Sequence, residues 1–296
     1  MSILDKTAPS MVRTIQTSLI SNLDSMDHYA VLGQPVAHSR SPRIHSLFAA
    51  QSGAALSYEA IEVAPDQLAE KLTALHAASY AGFNLTLPHK TAAVALCESR
   101  SERAERAGAV NTLIRTAAGW RGDNTDGAGL VRDLRHNLGT AIAGRRVLVL
   151  GSGGATRGIL APLLAEQPAE LVVSGRNPWK PEELALAFKA VGPIRPATHY
   201  ALKGDRYDLV INATSIGHQG EVPRLPPELF NPGALAYDLN YGKAAEPFLQ
   251  WAATQGAANR ADGLGMLVEQ AAESFLLWRG LRPDTAPVLA ELRRPG

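Results

Sequence analysis

The chain has 296 residues, with 29 Lys and Arg against 28 Asp and Glu, and 46% hydrophobic to 19% charged residues. That balance is globular, sets about two domains of ~150 residues as the expectation, and offers no basic surface for nucleic acid or an anionic membrane. Cys97 is the one cysteine, so an internal disulfide and a Cys-based zinc site are excluded and no metal is expected; no apolar run approaches the ~18 residues of a membrane span.

Residues 1–25 are rich in Ser and Thr, and their apolar pieces are broken by Arg13 and Gln16. They carry no h-region of the ~7–15 residues that a secretory signal needs. A disordered tail over residues 1–27 is expected, with Met26, just ahead of the first strand-like run, as an alternative start. From there short β runs alternate with helical periodicity. Strands are expected at Tyr29–Leu32, Tyr58–Val63, Gly82–Leu87, Val147–Leu150, Leu171–Ser174, Leu209–Asn212 and Leu235–Leu239. Helices are expected at Pro65–His76, Ala128–Leu138, Pro181–Val191 and Met266–Trp278. Such alternation predicts parallel sheets with crossover helices, divided near Asp126–Leu138.

Polar residues stand where the bare fold has no need of them. His38-Ser39-Arg40-Ser41-Pro42 opens a helix, with Ser41 as N-cap and Pro42 at N1. Capping alone accounts for Ser41 but not for Ser39, and two hydroxyls beside free N–H groups make a carboxylate site. In Gly82–Lys90, strand alternation puts Asn84 and Thr86 on one face, lining a cleft, and Phe83, Leu85 and Leu87 on the other. Pro88 is expected to start a helix with Lys90 in its first turn, where the dipole disfavours the cation and eases proton exchange; the plain alternative is a surface lysine. Asn111 offers a donor and an acceptor, or simply forms a turn. Asp126 either caps the helix that follows it or serves as a lysine's partner.

Val147–Leu150 runs into Gly151-Ser152-Gly153-Gly154-Ala155 and then a helix. Gly151 allows a tight turn and Gly153 lets a pyrophosphate approach the new helix, although Thr156 stands where a third glycine is usual; a bare βα turn is the alternative. The next strand ends Ser174-Gly175-Arg176-Asn177, without the carboxylate that NAD sites place ~20 residues on. Arg176, with Lys180, is therefore read as facing the 2′-phosphate of NADP, or else as a solvated loop charge.

Taken in order, Gly33-Gln-Pro-Val-Ala-His-Ser-Arg-Ser-Pro42, Asn84-Leu-Thr-Leu-Pro-His-Lys90, Gly108-Ala-Val-Asn-Thr112, Asn124-Thr-Asp126, Gly151-Ser-Gly-Gly-Ala155, Asn212-Ala-Thr-Ser-Ile-Gly217 and Asp262-Gly-Leu-Gly-Met-Leu-Val-Glu-Gln270 resemble the shikimate dehydrogenase family. The resemblance runs from about Tyr29 to Gly280, and its motifs are specific together rather than singly. It implies an α/β fold with an N-terminal substrate domain over residues 28–126, a Rossmann-like NADP domain over 127–262, and C-terminal helices over 263–296 that return to the first domain. It implies NADP-dependent, reversible reduction of 3-dehydroshikimate to shikimate, on the route to aromatic amino acids. Ser39 and Ser41 then bind the substrate carboxylate, Asn84, Thr86, Asn111, Tyr241 and Gln270 hold the ring, and Lys90 with Asp126 handles the proton. Gly151, Ser152, Gly153, Gly154 and Ala155 hold the pyrophosphate, and Gly175, Arg176 and Lys180 surround the adenosine phosphate. Leu239, Gly263 and Met266 border the nicotinamide, and Glu102 is turned to the cofactor. The family's Asn-Arg-Thr after the second cofactor strand is here Gly175-Arg176-Asn177. A quinate/shikimate dehydrogenase of broader substrate and NAD or NADP use is the alternative, although the Ser39-x-Ser41 pair matches the shikimate type. A monomer or homodimer in the reducing cytoplasm, with a small-molecule substrate as its partner, completes the expectation.

Overall fold

The computed structural model describes residues 26–294, so the tail expected before Met26 lies outside the described residues. The first half comprises β1 (Asp27–Gly33), α1 (Ser41–Ser52), β2 (Leu56–Glu62), α2 (Leu68–Ala77), β3 (Gly82–Leu85), β4 (Ser99–Arg100), α3 (Glu102–Ala107), β5 (Thr112–Arg115) and β6 (Trp120–Asp123). Its six strands form one sheet in the order β2-β1-β3-β5-β6-β4. β1 runs parallel to β2 and β3, but β5 is antiparallel to both β3 and β6. The all-parallel expectation fails for this sheet because a tight turn replaces a crossover helix: Thr116 N–H donates to Gly119 O and Gly119 N–H to Thr116 Oγ1, both at 3.0 Å. β3 also ends earlier than expected. Leu85 is its last residue, and Leu87 turns out to solvent, 57% exposed, instead of joining Phe83 and Leu85 in the core.

α4 (Asp126–Arg132) carries the chain into the second half and is continued by one π-helical turn over Asp133–Asn137, so the periodicity read across Ala128–Leu138 spans two helical forms. β7 (Arg146–Leu150), α5 (Gly154–Ala165), β8 (Glu170–Gly175), α6 (Trp179–Ala187), β9 (Arg195–Thr198), β10 (Tyr207–Asn212), β11 (Phe230–Asp238), α7 (Glu246–Thr254) and β12 (Asn259–Ala261) follow. This sheet is parallel throughout, in the order β12-β11-β10-β7-β8-β9. Counted from its own first strand that is the 3-2-1-4-5-6 order of a doubly wound dinucleotide fold, with the switch point between β7 and β10. β7 is apolar at successive positions because both of its faces are covered: Val147 and Val149 enter one core, Leu148 and Leu150 the other.

α8 (Leu264–Arg279) and α9 (Thr285–Leu292) bring the chain back. Met266 enters the core of the second sheet, whereas Val268, Ala271, Ala272 and Phe275 pack with Ile44 and Phe48 of α1. α8 thus joins the two halves. Phe48 and Phe275 are fully buried there, and truncating either to Ala costs about 3–5 kcal/mol. Glu269 seals the junction: its buried carboxylate accepts Arg282 at 3.0 Å and the Thr285 hydroxyl at 2.6 Å and pairs with Arg132 at 2.9 Å, tying α4, α8 and α9 together. No helix among the described residues is long and apolar enough to cross a membrane.

Candidate active site

Asp126 is the first residue of α4, yet its carboxylate does not cap that helix. Its backbone N–H is taken by Asn124 Oδ1 at 3.1 Å, which frees both carboxylate oxygens. Oδ2 accepts Lys90 Nζ at 2.5 Å and Oδ1 accepts Asn111 Nδ2 at 2.8 Å. Lys90 lies in a turn after β3 and not in a helix: the Leu87–Pro88 peptide is cis, and the next helical stretch is a 3₁₀ segment at Ala92–Leu96. The helix-dipole expectation for Lys90 therefore falls. What faces its ammonium is a carboxylate only 6% exposed.

Asn111 is no turn former. Its Oδ1 accepts the Thr125 N–H and the Thr112 hydroxyl, both at 2.8 Å, while Nδ2 also reaches Thr125 Oγ1 at 2.9 Å and Gln270 Oε1 at 3.3 Å. Asn84, on buried β3, donates to Ser274 Oγ at 3.0 Å and to Thr112 Oγ1 at 3.2 Å and accepts the Tyr58 hydroxyl at 2.8 Å. Thr86 follows half-buried, with its N–H on Leu32 O at 2.9 Å. Buried amides and hydroxyls so interlocked rigidify a site because each donor has its acceptor.

The capping role expected of Ser41 is reversed. No side chain among the described residues caps α1; instead Ser39 Oγ accepts the Ser41 N–H at 3.2 Å, and Ser41 is buried. Tyr241 borders the same turn, its ring 5.7 Å beneath the Arg40 guanidinium. Burial pushes the Tyr58 phenol well above its ordinary range. Burial likewise lowers His45 to about 3. The His45 ring stacks on Tyr58 at 4.2 Å, and its Nε2 has no partner among the described residues. Sequence reasoning misses Tyr58, Thr125, Ser274 and His45. Ser274 stands at i+4 from Gln270 on α8, a spacing able to reveal it; Tyr58 and His45 carry no such signal.

On the opposite side, Gly151 leaves β7 with φ +107°, a conformation open to glycine, and a Cβ there would stand 3.1 Å from Ala213 O in the loop after β10. Gly153 is the N-cap of α5, no side chain caps that helix, and a Cβ on Gly153 would meet nothing within 4 Å. Uncapped N–H groups, open approach and a position at the switch point fit a dinucleotide pyrophosphate. A Cβ on Gly154 would lie 3.7 Å from Thr91 Cγ2, so this turn abuts the residue after Lys90. Ser152 Oγ lies beside Gly175, Ala155 follows half-buried in α5, and Arg176 and Lys180 extend exposed beyond β8. Gly263 and Leu239 touch, since a Cβ on Gly263 would stand 2.2 Å from Leu239 O. Met266 is instead turned into the second core, 8% exposed. Glu102 is exposed in the first turn of α3 and pairs with Arg106 of its own helix rather than with any other candidate.

The geometry can seat an oxygen at an ammonium held by a carboxylate, with amides around it and a dinucleotide turn alongside. A family model described as the shikimate dehydrogenase substrate binding domain matches residues 31–113, and one described as the shikimate 5'-dehydrogenase C-terminal domain matches residues 263–293. A shikimate dehydrogenase (NADP(+)) of Nitrosospira multiformis is 52% identical over 267 residues, covering 90% of this chain and 97% of its own. Another of that description, from Methylococcus capsulatus, is 52% identical over 267 residues, covering 90% and 96%. The solved shikimate 5-dehydrogenase of Thermus thermophilus, in complex with NADP(H) and shikimate, superposes with a TM-score of 0.79 at 36% identity, covering 91% of this chain and 99% of that one.

Proposed function

The chain belongs to the shikimate dehydrogenase family, and on that footing we propose how its residues carry the NADP-dependent, reversible reduction of 3-dehydroshikimate to shikimate. The observation that carries the reading is the Lys90–Asp126 pair, 2.5 Å apart and largely buried, with the residue after Lys90 against the glycine turn. NADPH, when bound, supplies the hydride. Lys90 hydrogen-bonds the reacting oxygen, gives it a proton as charge develops, and takes one back in the oxidation direction. Asp126 holds the ammonium in place, and Asn111 in turn fixes Asp126. Ser39 and Ser41 receive the substrate carboxylate, and Asn84, Thr86, Asn111, Tyr241 and Gln270 orient the ring and its hydroxyls. Gly151, Ser152, Gly153, Gly154 and Ala155 hold the pyrophosphate, Gly175, Arg176 and Lys180 surround the 2′-phosphate, and Leu239 and Gly263 border the nicotinamide.

Residues 28–126 serve the substrate, 127–262 the cofactor, and 263–296 close the first part. The enzyme works as a monomer or homodimer in the cytoplasm, where Cys97, with its thiol pushed up to about 11 by burial, is inert. Following NADPH absorbance with shikimate or quinate, each paired with NADP or NAD, tests the reading. Shikimate with NADP should give the highest kcat/KM. Equal values for quinate or for NAD identify the broader enzyme instead, and no turnover in any pairing contradicts the proposal.

A further inference from the structure

β9 is the edge strand of the cofactor sheet, and Thr198 at its end pairs with Gly175 at the end of β8. His199 follows directly. Its N–H donates to Gly175 O at 3.3 Å, and its Nδ1 is hydrogen-bonded to Ser174 Oγ at 2.9 Å, so the ring is anchored against the residues that lead into Arg176. The ring is buried to 7% exposure, yet Nε2 has no protein partner among the described residues and is not sealed from solvent. An anchored imidazole beside an arginine, at the C-terminal end of the second and third strands of a dinucleotide fold, stands where the adenosine ribose is read.

We propose that His199 is a specificity-determining residue for the adenosine 2′-phosphomonoester, becoming imidazolium when that group docks on Arg176. The ring takes one proton from solvent; Nδ1–H then donates to Ser174 Oγ and Nε2–H to a phosphate oxygen. This rests on the reading that Arg176 marks the 2′-phosphate. Without a phosphate, burial first and the Arg176 charge second hold His199 below its ordinary value of 6.5. A phosphate, carrying close to two negative charges at neutral pH, reverses the second effect and offers an acceptor for the new N–H. The other groups around the ring are few. α6, packed over β8 and β9, presents Lys180, Glu182 and Glu183 to solvent, and the turn of His199 itself carries exposed Tyr200 and Lys203; Arg176 is the charge that acts on the ring. Adenosine diphosphate lacking the 2′-phosphate gives no reason for the proton to bind, so the discrimination between the two cofactors gains a protonic component.

The test is calorimetric titration of the enzyme with 2′,5′-ADP and with 5′-ADP at neutral pH, in buffers of different ionisation enthalpy. The wild type should take up a fraction of a proton with 2′,5′-ADP and not with 5′-ADP. His199→Gln, which keeps a partner for Ser174, should abolish that uptake and weaken 2′,5′-ADP by about tenfold or more, as for a lost charge-assisted hydrogen bond, while leaving 5′-ADP unchanged. Equal uptake in wild type and variant overturns the proposal, as does no uptake in the wild type, a result that needs no variant to fold. If Arg176→Ala abolishes the preference for 2′,5′-ADP while His199→Gln leaves it intact, the histidine role falls and the reading of Arg176 stands. If the wild type binds both ligands alike, the Arg176 reading falls as well.

Discussion

Asp126 gives one carboxylate oxygen to Lys90 and the other to Asn111, at 2.5 and 2.8 Å, and the helix start is satisfied by Asn124 instead. Local hydrogen bonding thus releases an acid for chemistry where capping would have consumed it. His45 carries a separate prediction. Burial lowers it from 6.5 to about 3 in the folded protein, whereas the unfolded chain titrates at the ordinary value. Between those limits the unfolded state binds a proton that the folded state refuses. Stability present above pH 6.5 is therefore lost as pH falls toward 3, at up to about 1.4 kcal/mol per pH unit. His45→Phe preserves the stack on Tyr58 and should flatten this limb in urea midpoints taken at successive pH values; an unaltered limb contradicts it. Asn84 and Asn111 are legible in sequence because they interrupt apolar runs, and Lys90 and Asp126 because charged residues follow Pro88 and precede a helical stretch. His45 and Tyr58 are not, because rings packed among Phe48, Phe275 and Trp278 have the composition of an ordinary core.

α4 is squeezed between α5 and α8 by two glycines. A Cβ on Gly127 would stand 2.3 Å from Pro162 Cγ, and one on Gly129 2.7 Å from the backbone N of Gln270. The second contact is with backbone, which cannot swing aside, and it sets the seat of a residue proposed to hold the ring. Gly129→Ala should cost about 1–3 kcal/mol in denaturant unfolding, as overpacking does, and raise KM for shikimate more than KM for NADP. Wild-type stability together with a wild-type KM would refute this account of α4. The glycines themselves are plain in Asp126-Gly-Ala-Gly129, but which helix presses on each is a tertiary fact. The β5–β6 hairpin escapes sequence reading for another reason: strands of four residues are too short to show a period. Lys90 shows the same limit from the other side, since a Pro after a strand can open a turn as readily as a helix.

At the scale of the molecule, the parallel order of the second sheet sets a glycine turn at its switch point, and the mixed first sheet delivers β3 and the start of α4 to the same place. α8 completes the arrangement by carrying Met266 into one core and Gln270 into the network of the other. Its final position in the chain says nothing of this; the apolar face that meets Ile44 and Phe48 does. In the proposed mechanism the ammonium of Lys90, held by Asp126, exchanges the proton. The most direct measurement is kcat of Lys90→Ala for 3-dehydroshikimate with NADPH at saturation. A fall of about 10²–10⁴-fold with smaller changes in both KM values is expected. A kcat equal to that of the wild type would contradict it.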